Sequence, residues 1–184
     1  MKTVFLESHN IKNPYFGFGQ FNYHLIKGLY NADITDFKLT LHAKDIGSLK
    51  SEFHTYFNYK KYYSFTRHKA FRIRKKFDLW HSLNQNIKIE PYYGIPYLLT
   101  VHDVNFIEEE SRDMDHERNI LFQEKLNRSH AITYISNYAK ASTHKYFKVP
   151  DVPEYVIYNG NPILNIEIPQ NYRPKLISSK PFLF

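Results

Sequence analysis

Two glycines stand two apart in NPYFGFGQFNYHLIKGL, residues 13 to 29, directly before an amphipathic stretch. Without a Cβ, Gly17 and Gly19 would let a phosphate or a sugar approach the backbone amides, and a helix starting there adds free N–H groups and the positive end of its dipole. A plain turn leading into a helix uses the same residues. A second group of polar residues follows the apolar runs: Ser8-His9-Asn10, His81-Ser82 with Asn84, His102-Asp103, Ser136-Asn137 and Asn159-Gly160. Among them His102 reads either as a reactive imidazole or as a buried histidine bonded to a carbonyl. His9 and His81 read as structural or rim-lining.

Several chemistries lack their residues. The chain has no cysteine, which removes disulfides, zinc-thiolate sites and cysteine nucleophiles and fits a reducing compartment. Its 10 histidines include no i, i+4 pair with a third ligand nearby, so no metal site is expected. The 6 glycines form no G-x-S-x-G elbow, which a serine hydrolase would need. A dinucleotide fingerprint fails because Asn22 occupies the third glycine's place and Leu41-His42 falls where an acidic residue should stand.

The elements that must position these residues alternate. TVFLES (3–8), FKLTLHA (37–43), FDLWHSLN (77–84), YLLTVHD (97–103), AITYIS (131–136) and YVIYNG (155–160) read as strands. Phe21, Leu25 and Leu29 recur every four residues as a helix, 112–128 reads as another, and 137–147 as a third with Ser136 as its N-cap. Residues 44–76 are expected to hold a helix, a short strand and a basic helix. Strands alternating with helices predict an α/β fold with a mainly parallel, doubly wound sheet and helices on both faces. In such a sheet ligands bind at the carboxyl ends of the strands, so the five polar turns line up as a cleft rim.

At 184 residues, 42% hydrophobic and 23% charged, the chain suits one soluble domain. The opening MKTVFLESHN is too short for a signal peptide and no run reaches the length of a membrane span, so a cytoplasmic protein is expected. The net charge of +7 is concentrated: between Phe53 and Phe77 stand Lys60, Lys61, Arg67, Lys69, Arg72, Arg74, Lys75 and Lys76 with no acidic residue. Aromatic residues interleave with them, and Ala70, Ile73 and Phe77 share one face of a presumed helix. Such a surface suits anionic lipid, a phosphorylated ligand or, less well, nucleic acid; a solvated face packed through its aromatics is the alternative.

GFGQFNYHLIKGL, FDLWHSLN, PYLLTVHDVNF, AITYISNYAKAST and EYVIYNGNP together resemble, in order and spacing, the N-terminal domain of GT-B glycosyltransferases of glycosyltransferase family 4. The resemblance implies a Rossmann-like acceptor-side domain over residues 1–165, with 166–184 a linker and the start of a donor-binding domain. It implies sugar transfer from a nucleotide-sugar co-substrate to a glycan or lipid-linked acceptor, with retention and without metal, in surface polysaccharide or glycolipid assembly. Gly17, Phe18 and Gly19 would form the loop under the donor diphosphate and sugar. His102, with Asp103 beside it, would lie near the reacting sugar, its near-neutral pKa serving either protonation state. Ser136 and Lys140 would line the cleft and Asn159 would lead to the hinge. Glu109 and Glu117 have the spacing of the family's donor-binding glutamates but lie in the wrong domain. Without the donor half, this chain alone is expected to be inactive.

Overall fold

In the computed structural model the described residues are 1–13 and 15–160. Seven strands form one sheet: β1 (Lys2–Glu7), β2 (Phe37–Ala43), β3 (Asn58–Lys61), β4 (Leu79–Ser82), β5 (Tyr97–Val101), β6 (Ala131–Tyr134) and β7 (Glu154–Val156). All neighbours run parallel, in the order β3-β2-β1-β4-β5-β6-β7. The helices are α1 (Gly17–Asn31), α2 (Ile46–Phe53), α3 (Phe106–Glu109), α4 (Glu117–Arg128) and α5 (Asn137–Tyr146). This is the Rossmann-like doubly wound α/β arrangement.

Strand alternation divides the core in two. Val4 and Leu6 point to the face where Leu39 and Leu41 meet Ile26 of α1 and Leu49 and Phe53 of α2. Phe5 points the other way and stacks on Trp80 at 4.0 Å, continuing through Tyr97, Leu99 and Tyr134 to Phe122 and Leu126 of α4. Chain direction explains the division. From β1 the chain moves outward one way through β2 and β3, and from β4 it moves the other way, so crossovers of one hand place their helices on opposite faces. The order reverses between β1 and β4, where a crevice opens beyond the strand ends.

The chain departs from expectation at two places. Gly17, Phe18 and Gly19 form no loop; they are the first residues of α1. A Cβ on Gly19 would lie 1.8 Å from the Asn13 carbonyl oxygen, whereas one on Gly17 would meet nothing within 4 Å. Gly19 is therefore required by the chain's own packing, because the helix lies directly on the preceding turn (His9–Lys12). The basic stretch is not a helix either. It comprises β3, two short 3-10 turns (Ser64–Arg67 and Lys69–Phe71) and an extended run in which Ile73 bridges Pro91. Ile73 and Phe77 are buried, but Ala70 is exposed, so no shared helical face exists. The proposed boundary near 165 and the segment 166–184 lie outside the described residues.

Candidate functional site

A cleft of about 320 Å³ occupies the crevice where the strand order reverses. His9 and Asn10, after β1, and Asn84, after β4, line it with Phe18 of α1; Arg67 and Lys88 add positive charge. The start of α1 carries no side-chain cap and no acidic residue in its first turn.

His102, just past β5, packs edge-on against Phe18 at 4.9 Å and Phe21 at 4.5 Å. Its Nε2–H donates to the Leu83 carbonyl at 2.9 Å, which leaves Nδ1 as the acceptor. Burial lowers its pKa, only partly opposed by the Leu83 carbonyl and Asp103, which favours the neutral imidazole. His102 reaches the cleft through Phe18 and is not itself in the lining. Gln85 clamps this corner, donating to the Asp103 carbonyl at 2.7 Å and accepting from the His102 N–H at 3.1 Å. The Asp103 carboxylate accepts from the Asn105 N–H at 3.3 Å.

The other rim residues spread out. His81 lies within β4, where its Nε2 meets Thr100 Oγ1 at 2.8 Å and Thr100 meets Thr133 at 2.8 Å, a polar ladder on the α1 face. Burial lowers its pKa to about 4. His81 is thus a sheet residue and not a rim residue. Ser136 caps α5, its hydroxyl accepting from the Ala139 N–H at 3.1 Å. Lys140 pairs with Glu154 at 3.5 Å, and Asn159 is exposed. None of these three lines the cleft.

His9 belongs to a cluster that its own surroundings in sequence do not announce. Glu7 Oε1 accepts from Nδ1–H of both His9, at 2.8 Å, and His42, at 2.9 Å, and all three are buried. Burial would raise the Glu7 pKa, but the two imidazoles outweigh it and hold the carboxyl down to about 2. The His9 ring stacks on Tyr62 at 4.6 Å, and Ser8 ties the end of β1 to the His42 backbone. Glu7 and His42 were not anticipated as a pair because 35 residues separate them. Only the polar endings of their two strands hinted at it.

A second cleft of about 1040 Å³ shares Arg67, Asn86, Ile87 and Lys88 with the first. It runs between the 3-10 turns and α4. Beneath it Glu90 is buried against Lys125 Nζ and Arg128 Nη1, the latter at 2.6 Å, with the Tyr97 hydroxyl donating at 3.1 Å. Burial opposes the Lys125 charge, yet the Glu90 carboxylate raises its pKa; the Tyr97 phenol is pushed up to about 12 by burial and by Glu90. Among the described residues no His, Cys, Asp and Glu group of three or more could hold a metal ion, and no helix is long and apolar enough to cross a membrane. No family model, curated protein or solved structure matches this chain.

Proposed function

We propose that this chain is the acceptor-side domain of a GT-B type glycosyltransferase that moves a sugar from a nucleotide-sugar donor to a glycan or lipid-linked acceptor. The carrying observation is the cleft at the reversal of strand order. It combines carboxamides (Asn10, Asn84, Asn86), an imidazole (His9), an aromatic ring (Phe18) and two cations (Arg67, Lys88). Carboxamides exchange paired hydrogen bonds with sugar hydroxyls, an aromatic face covers a pyranose, and the cations suit a phosphate. In this reading His102 holds Phe18 in place, while a second domain supplies the donor contacts.

The test is an NMR titration of the chain with nucleotide sugars and with oligosaccharide acceptors. A sugar ligand is expected to move the signals of Asn10, Phe18 and Asn84 together, and Asn84→Ala is expected to abolish the response. Sugars that leave all three signals unmoved would sink the reading. A non-catalytic module that binds polyanions is the second reading, favoured by the cations of residues 60–76, which form no ion pair among the described residues. That module would bind unchanged in Asn84→Ala and lose affinity steeply with salt.

A further inference from the structure

The eight Lys and Arg residues between Lys60 and Lys76 take part in none of the ion pairs among the described residues. Several rest on aromatic rings instead: Arg67 over Tyr62 at 5.8 Å, Arg74 over Tyr92 at 4.9 Å, Lys75 over Phe77 at 5.3 Å and Lys76 over Tyr93 at 4.9 Å. A ring face steadies a cation without neutralising it. Three of the eight, Arg67, Lys69 and Arg72, turn into the larger cleft.

The opposite wall is differently charged. There Glu90 is satisfied by Lys125 and Arg128, Glu110 by Arg118 and Glu117 by Lys88; Glu124 is exposed and forms no ion pair among the described residues. The cleft therefore pairs off its cations along α4 and leaves Arg67, Lys69 and Arg72 in excess. Arg72 adds a second observation, because its Nε is buried with no hydrogen-bond partner among the described residues. A guanidinium N–H buried without an acceptor is costly, and the same side chain reaches the cleft lining.

We propose that the larger cleft is a phosphate-binding site in which Arg67 and Arg72 grip a phosphoryl group and Lys69 adds charge. Two guanidinium groups can hold the oxygens of a phosphomonoester or diphosphate in fork geometry, which a solvated face does not require. The wall shared with the smaller cleft, at Arg67 and Lys88, places this phosphate beside the crevice where the strand order reverses. The inference does not depend on glycosyl transfer, since it concerns charge and not sugar recognition.

Calorimetric titration with pyrophosphate tests it. Saturable binding is expected, weakened about tenfold in Arg67→Gln and in Arg72→Gln and only partly in the charge-conserving Arg67→Lys. Lys76→Gln removes an equal charge from the same segment but outside the cleft, and it is expected to leave the affinity unchanged. Circular dichroism of each variant separates lost binding from lost folding, and the lysine variant keeps the question open to measurement if a glutamine variant unfolds. Sedimentation with phosphatidylcholine vesicles, with and without phosphatidic acid, identifies the source. Binding only to the phosphatidic acid vesicles, lost in Arg67→Gln, assigns a lipid headgroup; pyrophosphate binding without vesicle binding assigns a soluble phosphate ester. No saturable pyrophosphate binding, or an equal loss in Lys76→Gln, would overturn the site.

Discussion

At the end of β1 a buried carboxylate, Glu7, is held by two imidazoles; further along the same sheet face Glu90 is held by a lysine, an arginine and a tyrosine. The two arrangements bury similar charge and differ in what they tie together. Lysine and arginine keep their charge across the whole accessible range, so the Glu90 group behaves as a permanent fixture that anchors α4 to the sheet. The Glu7 group instead joins β1 to β2, where against the cost of burial the two imidazoles hold its carboxyl down to about 2. One cluster fastens a helix to the sheet and the other fastens strand to strand.

The largest break in this comparison comes from Lys125→Met. It leaves Glu90 buried with one cation fewer, and a loss of about 3–5 kcal/mol is expected in urea unfolding. A loss below about 1 kcal/mol would show that Arg128 and Tyr97 suffice. Acid unfolding sharpens the other side. The Glu7 carboxyl is held down to about 2 in the fold against an ordinary value of 4.5, so its contribution is present above 4.5 and is lost as pH falls from there toward 2. That window amounts to on the order of 3 kcal/mol, and Glu7→Gln should flatten it. His81 acts earlier. Its folded pKa of about 4 lies below the ordinary 6.5, so the unfolded chain takes up the proton first and stability declines as pH falls from 6.5 toward 4.

The halves also differ in how their helices begin, and the smaller effects read this out. Gly19→Ala forces a methyl group into the Asn13 carbonyl and is expected to cost about 1–3 kcal/mol and to shift the His102 imidazole signals through Phe18. Gly17→Ala, with open space around it, should be neutral or slightly stabilising in thermal melts. Ser136→Ala removes the α5 cap and is expected to cost about 1 kcal/mol without disturbing His102.

Most of the sheet was legible because parallel strands buried on both faces leave short apolar runs, and FKLTLHA matches β2 residue for residue. Ser136 was legible as a cap because capping is local chemistry. The paired glycines misled because their spacing describes backbone freedom without saying what approaches the backbone; at Gly19 it is the chain's own carbonyl. The basic segment misled because a three-residue and four-residue spacing of apolar positions can arise by chance in ten residues. The polar turns after β1, β4 and β5 do gather near one edge, whereas Ser136 and Lys140 serve α5. Glu90 with Lys125 was beyond reach, since 35 residues separate them and neither carries a local mark.

The position of β1 has a consequence for how the molecule comes into being. β1 lies inside the sheet, and one of its two neighbours is reached only across a separation of 75 residues, where Thr3 meets Asp78. Half of its backbone edge stays unsatisfied until β4 has left the ribosome. Pairings of such range are slow to close, so folding of this chain waits on its middle, and the exposed rim of β1 is the place where a chaperone would find a handhold.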